Sequence, residues 1–306
     1  MDFYPVLTAI LFLFLIIGTG FVARRHGILN GSLVHLISHV LVNIALPALT
    51  ISSMQVPLTP ANLGIAEDML LIAIAYYLGA FALGILICRL LPSTGSEEGV
   101  FRFMLIFPNV GFMGIPVSIA VLGQGSLFYV ILFNLPFNLL VFTVGSWLLA
   151  RSRPGNFEWK RLITPGFIAS ILGMYLFLTG IIIPQPANTA LGLIGMTTTP
   201  LAMLVVGAFL ATLPVSKLGG DWRIGVITAF RLLILPVLAF LVLVPFVNNK
   251  LLVMSAVLLI GMPVAANTVL LSDEFGVDAT LASQGLFVST CASLVTIPVL
   301  ELFLFH

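Results

Sequence analysis

Apolar residues run along this chain in long blocks separated by short polar connections, without the alternation of a half-buried strand or the single stripe of a soluble amphipathic helix. Each block approaches the roughly 20 residues that a helix needs to cross a bilayer. Ten such spans are readable, near 5–23, 33–54, 69–90, 101–122, 127–150, 162–183, 189–213, 223–246, 251–271 and 280–303. The first does not read as a signal peptide, because no basic segment precedes it and Arg24-Arg25 follow it as a stop-transfer flank.

Two of the spans, the fourth and the ninth, carry the same interruption: Gly114-Ile115-Pro116-Val117 and Gly261-Met262-Pro263-Val264. The fourth adds Pro108 and Gly111 upstream, with Asn109 between them, and the ninth is followed by Asn267. Proline removes a backbone donor and clashes with the preceding turn, so each helix is expected to kink or open there. Lipid cannot satisfy the freed groups, so an opened helix must face protein or a water-filled cavity. Matching breaks in two halves of a membrane protein point to a transporter's binding site. Half-helix N-termini at such a site offer N–H groups and a positive dipole end to an anion. A kinked packing helix is the plainer alternative for either break taken alone.

Charge sorts the connections. Odd-numbered loops hold Arg24, Arg25, Arg89, Arg102, Arg151, Arg153, Lys160, Arg161, Lys217 and Arg223, against Lys250 alone in the even-numbered ones. This positive-inside bias places both termini on the non-cytoplasmic side of a cell (inner) membrane. The longest polar connection, over 151–161, is read as a short cytoplasmic linker between residues 1–150 and 162–306, each with five spans. Five is odd, so the halves enter with opposite orientation, as inverted repeats. Pro47 in the second span is then matched by Thr198 and Pro200 in the seventh.

Composition agrees: 60% of residues are hydrophobic and only 8% charged, where a soluble domain carries roughly 25% charged. The balance of 12 basic and 11 acidic residues argues against a nucleic-acid partner. Cys88 and Cys291, inside apolar runs, read as small core residues. No cofactor-binding motif is present, and the lipid bilayer is the expected surrounding.

Few polar residues remain inside the spans. Arg231 lies well within the eighth, and is expected either to snorkel toward the cytoplasmic face or to form a structural or gating ion pair with Asp273, Glu274 or Asp278. His35 and His39 have a metal-capable i, i+4 spacing but no evident third ligand, so no metal site is assigned. Asn134 and Asn138 share one face of the fifth span as interhelical glue or cavity wall. Gln124, between Gly123 and Gly125, is placed within reach of the same cavity.

An ordered series of motifs resembles the auxin efflux carrier family, which includes plant auxin transporters and bacterial carriers for malonate, malate and related acids. The series is Gly20-Phe21-Val22-Ala23-Arg24-Arg25-His26-Gly27-Ile28-Leu29, Leu46-Pro47-Ala48-Leu49, Pro108-Asn109-Val110-Gly111-Phe112-Met113-Gly114-Ile115-Pro116, Thr199-Pro200-Leu201-Ala202-Met203, Arg231-Leu232-Leu233-Ile234-Leu235-Pro236, Met262-Pro263-Val264-Ala265-Ala266-Asn267, Glu274-Phe275-Gly276-Val277-Asp278 and Ser289-Thr290. The resemblance implies an all-α integral membrane fold of ten helices in two inverted five-helix repeats, crossing at the proline breaks of the fourth and ninth. It further implies a scaffold of helices 1, 2, 6 and 7, a transport domain of helices 3–5 and 8–10, elevator movement, and a homodimer formed through the scaffold. Carried over by position, Asn109 and the backbone around Pro108, Gly111, Pro263 and Asn267 form the site for an organic anion, with Pro47 and Thr198 on the opposite wall. Two features depart from plant members: the central loop is short, and the third span lacks an internal acid–base pair beyond Glu67-Asp68 at its start.

The reading is a secondary transporter of a small organic anion, most simply a carboxylate. A sodium-coupled symporter resembling bile-acid carriers is the rival within transport, with Asn109, Asn267, Thr268 and Gln124 as oxygen ligands. An intramembrane enzyme is the rival class. It is disfavoured because paired aspartates, a zinc-protease His-Glu pattern and a serine–histidine arrangement are all missing from the spans.

Overall fold

The computed structural model describes residues 3–93, 95–150, 164–212, 221–275, 277 and 279–304. The expected linker over 151–161 lies outside them. Every element among the described residues is helical: α1 (Phe3–Arg25), α2 (Gly31–Ser53), α3 (Pro60–Leu90), α4 (Gly95–Ile106), α5 (Val110–Leu122), α6 (Gln124–Leu149), α7 (Pro165–Thr179), α8 (Gln185–Leu210), α9 (Trp222–Leu243), α10 (Lys250–Ile260), α11 (Asn267–Glu274) and α12 (Ala279–Leu304). By length and composition, six of these (α2, α3, α6, α8, α9 and α12) can cross a membrane. The fourth apolar span is divided into α4 and α5, and the ninth into α10 and α11, at the proline-containing breaks.

Local chemistry sets the helix ends. Asn30, Thr59, Thr164, Asp221 and Asn249 each cap the start of a helix by accepting a backbone N–H. α2, α5 and α9 each widen for one turn, at Leu41–Ala45, Val110–Gly114 and Phe230–Ile234, two residues ahead of Pro47, Pro116 and Pro236. The extra residue in a wide turn relieves the clash of a proline ring with the carbonyl one turn back.

A few helix pairs carry the most extensive packing. α1 lies along the second half of α8, and the first half of α8 and α7 pack on the second half of α2. The approach of α1 and α8 is backbone to backbone: a Cβ on Gly207 would stand 1.9 Å from the Ile17 carbonyl oxygen, and one on Gly20 2.2 Å from that of Leu204. Small residues at such crossings let membrane helices approach closely. α3 packs on α4, α6 and α10, while α9 and α11 pack on α12. Large apolar side chains such as Leu15, Leu78, Ile182 and Phe246 face outward, the reverse of a soluble surface. The chain is a multi-pass membrane protein. Of the two cysteines, Cys88 is buried as expected but Cys291 is exposed, on the outer face of α12 rather than in the core.

Candidate functional site at the crossed helix breaks

Pro108 has no N–H to continue α4, and Pro263 none to continue α10. Each segment therefore leaves helical geometry for a few residues before its next helix begins. The two segments lie antiparallel and pair: the Asn109 N–H donates to the Pro263 carbonyl at 2.8 Å, and the Ala265 N–H to the Phe107 carbonyl at 3.1 Å. Each break thus supplies the partner that the other lost. Phe107, Asn109, Val110, Met262, Val264, Ala265 and Ala266 are all at most 1% exposed.

The carbonyls left over at the ends of α4 and α10 have specific partners. Arg231 on α9, itself 0% exposed, donates from Nη1 to the Leu105 carbonyl (2.8 Å), from Nη2 to Ile260 (2.7 Å) and from Nε to Met262 (3.1 Å). Its Nη1 also donates to the Tyr76 hydroxyl, which in turn donates to the Ile106 carbonyl at 3.0 Å. On the donor side, the Val264 N–H is taken by Ser289 Oγ at 3.1 Å. Arg231 therefore does not snorkel; it points inward and closes the C-terminal ends of two half-helices. Its partners are three carbonyls and a hydroxyl, and the carboxylates considered for it (Asp273, Glu274 and Asp278) lie outside the described side chains.

The N-terminal ends are arranged differently. The Asn109 side chain makes no cap bond to α5, and the Gly111 and Phe112 N–H groups stand outside the backbone pairing, as do those of Ala266 and Asn267. The Asn109 Nδ2, Ser118 Oγ, Thr198 Oγ1, Thr268 Oγ1 and Thr290 Oγ1 atoms are buried without a hydrogen-bond partner. Unpaired buried polar groups are costly and rare, and the Asn109 amide is one that stands directly at a helix break. Gly111 is buried, yet a Cβ added there would meet nothing within 4 Å. By contrast, one at Gly114 would stand 2.9 Å from Leu259 Cδ2. Space therefore opens beside the free N–H groups at Gly111, while Gly114 is needed for α10 to pack.

Of the residues expected from the sequence, Pro108, Asn109, Gly111, Gly114, Pro116 and Pro263 are gathered at the crossing and buried. Asn267 is half-buried at the first turn of α11. Thr198 is buried at the start of the α8 segment that packs on the wide turn Val110–Gly114, and half-buried Pro47 follows the wide turn of α2 that this segment also contacts. Gln124 is exposed beyond the end of α5 and does not share the burial of the crossing. His35 and His39 are both exposed, and no group of three metal-ligating side chains occurs among the described residues. Asn138 Nδ2 reaches Ser170 Oγ at 3.4 Å, tying α6 to α7, and the Asn134 amide oxygen is buried without a partner.

Sequence reasoning passed over Tyr76 and Glu301, and named Ser289 only as part of a motif, without a role. Tyr76 and Tyr77 interrupt an otherwise apolar stretch of α3, which was a usable signal. Nothing in the spacing told that Ser289 would reach the second break. Glu301, a carboxylate only 1% exposed near the end of α12, was hidden by its place at a span's edge.

A multi-pass, all-helical chain with two interrupted helices paired at a buried, partly unsatisfied centre is built as a membrane transport protein. The chain belongs to the auxin efflux carrier family: the pattern of that family, described as "Membrane transport protein", matches residues 5–156 and again residues 150–301. It is a family of transporters and not of enzymes. Among curated proteins the chain is similar to one from Rhizobium meliloti named "Putative malonate transporter", 26% identical over 273 residues that cover 84% of this chain and 82% of the relative. It is also similar to an "Uncharacterized transporter" of Methanothermobacter thermautotrophicus, 25% identical over 285 residues covering 91% and 92%. A further relative, again an uncharacterized transporter, is from Methanocaldococcus jannaschii, 23% identical over 299 residues covering 94% and 95%.

Proposed function

We propose that the chain is a secondary carrier of a small organic anion, a carboxylate such as malonate, across a bacterial inner membrane. The observation that carries this reading is the polarity of the crossing. The C-terminal carbonyls of α4 and α10 are closed off by Arg231, whereas the N-terminal ends of α5 and α11 keep free N–H groups beside the unpaired Asn109 amide and the open space at Gly111. What remains available there is donors and positive partial charge, which suit a carboxylate. The malonate-related name of the Rhizobium relative supports the same ligand class.

In this proposal the membrane is crossed ten times, by two inverted five-helix repeats over 1–150 and 162–306, with both termini on the non-cytoplasmic side. The two successive family matches support the repeat. α1, α2, α7 and α8 act as the scaffold, which also carries any homodimer contact, and α3–α6 with α9–α12 move against it as an elevator. The close packing of α1 on α8, and of α7 and α8 on α2, supports the scaffold grouping. Pro47 and Thr198 then line the scaffold wall opposite the crossing.

The test is thermal unfolding of the purified chain against a panel of mono- and dicarboxylates. A ligand at 100 times its Kd stabilises the fold by about 2.7 kcal/mol, which a thermal shift resolves. A saturating shift with malonate or a related acid, lost in Asn109→Ala, is the expected result. A flat panel, or a shift that Asn109→Ala retains in full, overturns the reading.

A further inference from the structure

We infer that Arg231 is the crossing's own counter-cation: it stands at the two half-helix C-termini, where a cation-coupled carrier with broken helices would hold a sodium ion, and so frees anion binding from any requirement for sodium. The inference rests on the crossing being the anion site.

Two helices end at this point, each with a C-terminus equivalent to roughly half a negative charge. In carriers with discontinuous helices, such ends and the unwound carbonyls beside them coordinate the coupling cation. Here the corresponding oxygens are those of Leu105, Ile260 and Met262, joined by the Tyr76 hydroxyl, and all four converge on one guanidinium. The group is fully buried and is covalently part of α9. Its charge is therefore permanent, in contrast to that of a solvent ion that binds and leaves. The planar fork matches oxygens spread over α3, the end of α4 and the end of α10, which a spherical ion would have to draw together. The position follows from the fold of α9, whose wide turn Phe230–Ile234 ahead of Pro236 carries Arg231.

The same contacts tie α9 to α3, α4 and α10, so the cation travels with the elements that form the crossing. Arg231 is accordingly a positioning residue. Its donors are engaged by carbonyls, and it sets the charge against which the free N–H ends of α5 and α11 receive the anion.

The experiment compares thermal unfolding of the full chain, with and without malonate, in sodium, potassium, choline and guanidinium chlorides at equal low ionic strength. It uses the wild type, Arg231→Ala and Arg231→Lys. The wild type is expected to show the same Tm, and the same malonate shift, in sodium, potassium and choline. Arg231→Ala is expected to unfold at lower temperature in choline and to recover Tm in guanidinium or sodium, because a solvent cation now fills the place. An arginine with a merely structural role would leave this variant equally weakened in every salt, and that result overturns the inference. Arg231→Lys keeps a fixed charge and should remain indifferent to sodium; sodium dependence in it, or in the wild type, is equally contrary. Should Arg231→Ala fail to fold, the wild type and Arg231→Lys decide the question. If no carboxylate shifts the wild type, the anion reading fails separately, while the salt dependence of Tm still reads the counter-cation.

Discussion

Two glycines three residues apart should respond to the same substitution in opposite ways. A methyl group at Gly111 meets nothing within 4 Å, so Gly111→Ala is expected to leave Tm unchanged or raise it, since alanine in a helical turn is worth about 0.5–1 kcal/mol over glycine. The same methyl enters the space beside the free N–H groups of α5 and should obstruct the anion. Losing one hydrogen bond to a charged group costs about 1.5–3 kcal/mol, which corresponds to a roughly 10- to 150-fold weaker Kd. At Gly114 the methyl would lie 2.9 Å from Leu259 Cδ2, against the 3.4 Å at which ordinary contact begins. That strain falls on a flexible side chain of α10, so Gly114→Ala should cost stability at the lower end of the about 1–3 kcal/mol typical of overpacking. Its effect on binding should be the smaller of the two. The assay is malonate titration of each variant followed by thermal unfolding, with Tm read in the absence of ligand as the stability measure. If Gly111→Ala binds malonate as tightly as the wild type while Gly114→Ala does not, the anion does not sit against the start of α5.

Gly207→Ala places a methyl 1.9 Å from the Ile17 carbonyl and should cost about 3 kcal/mol or more, whereas Gly64→Ala on α3, with nothing within 4 Å, should be neutral or slightly stabilising; equal Tm values for the two would refute the close α1–α8 approach. Ser289→Ala removes the acceptor of the Val264 N–H and should lower stability by about 1–3 kcal/mol, with Ser289→Thr recovering part of it; an unchanged Tm would show that the second break is held by other contacts. Asp221 accepts hydrogen bonds from Arg223, and this holds its carboxyl below the ordinary value of 3.8. Its contribution is therefore complete above pH 3.8 and disappears as the pH falls through the lower folded value, so the Tm difference between wild type and Asp221→Asn should be present at neutral pH and close in that acid range, and a difference that persists there would show that the charge is not what matters.

Much of this was legible from residue type and spacing, and the exceptions share a cause. Hydropathy located the helices because lipid imposes an unbroken apolar stretch on any chain that crosses it. Proline marked both breaks because it removes a donor wherever the helix happens to pack, but of the two matched Gly-x-Pro-Val sites only the one at Pro263 opens: Gly114-Ile115-Pro116-Val117 stays helical within α5, and the fourth span opens upstream at Pro108. What spacing does not carry is which distant carbonyl a long side chain reaches. Arg231, read along its own helix, seemed free to snorkel or to pair with the acidic residues after the ninth span, yet it reaches back to Leu105 on α4 and forward to Ile260 and Met262. Ser289 is in the same position: its bond to Val264 spans two helices. Gln124 was placed by its nearness in sequence to α5, but Gly123, with φ 81°, ends that helix, and Gln124 is exposed beyond it. Cys291 shows the limit of composition, since an apolar run in a membrane helix has a lipid face as well as a core face.

The measurement that bears most directly on the central claim is uptake of labelled malonate into proteoliposomes that contain the wild-type chain or Asn109→Ala at equal folded content. Saturable uptake by the wild type that falls at least tenfold in Asn109→Ala is what an anion site at the crossed breaks predicts. Equal uptake by the two proteins would contradict it.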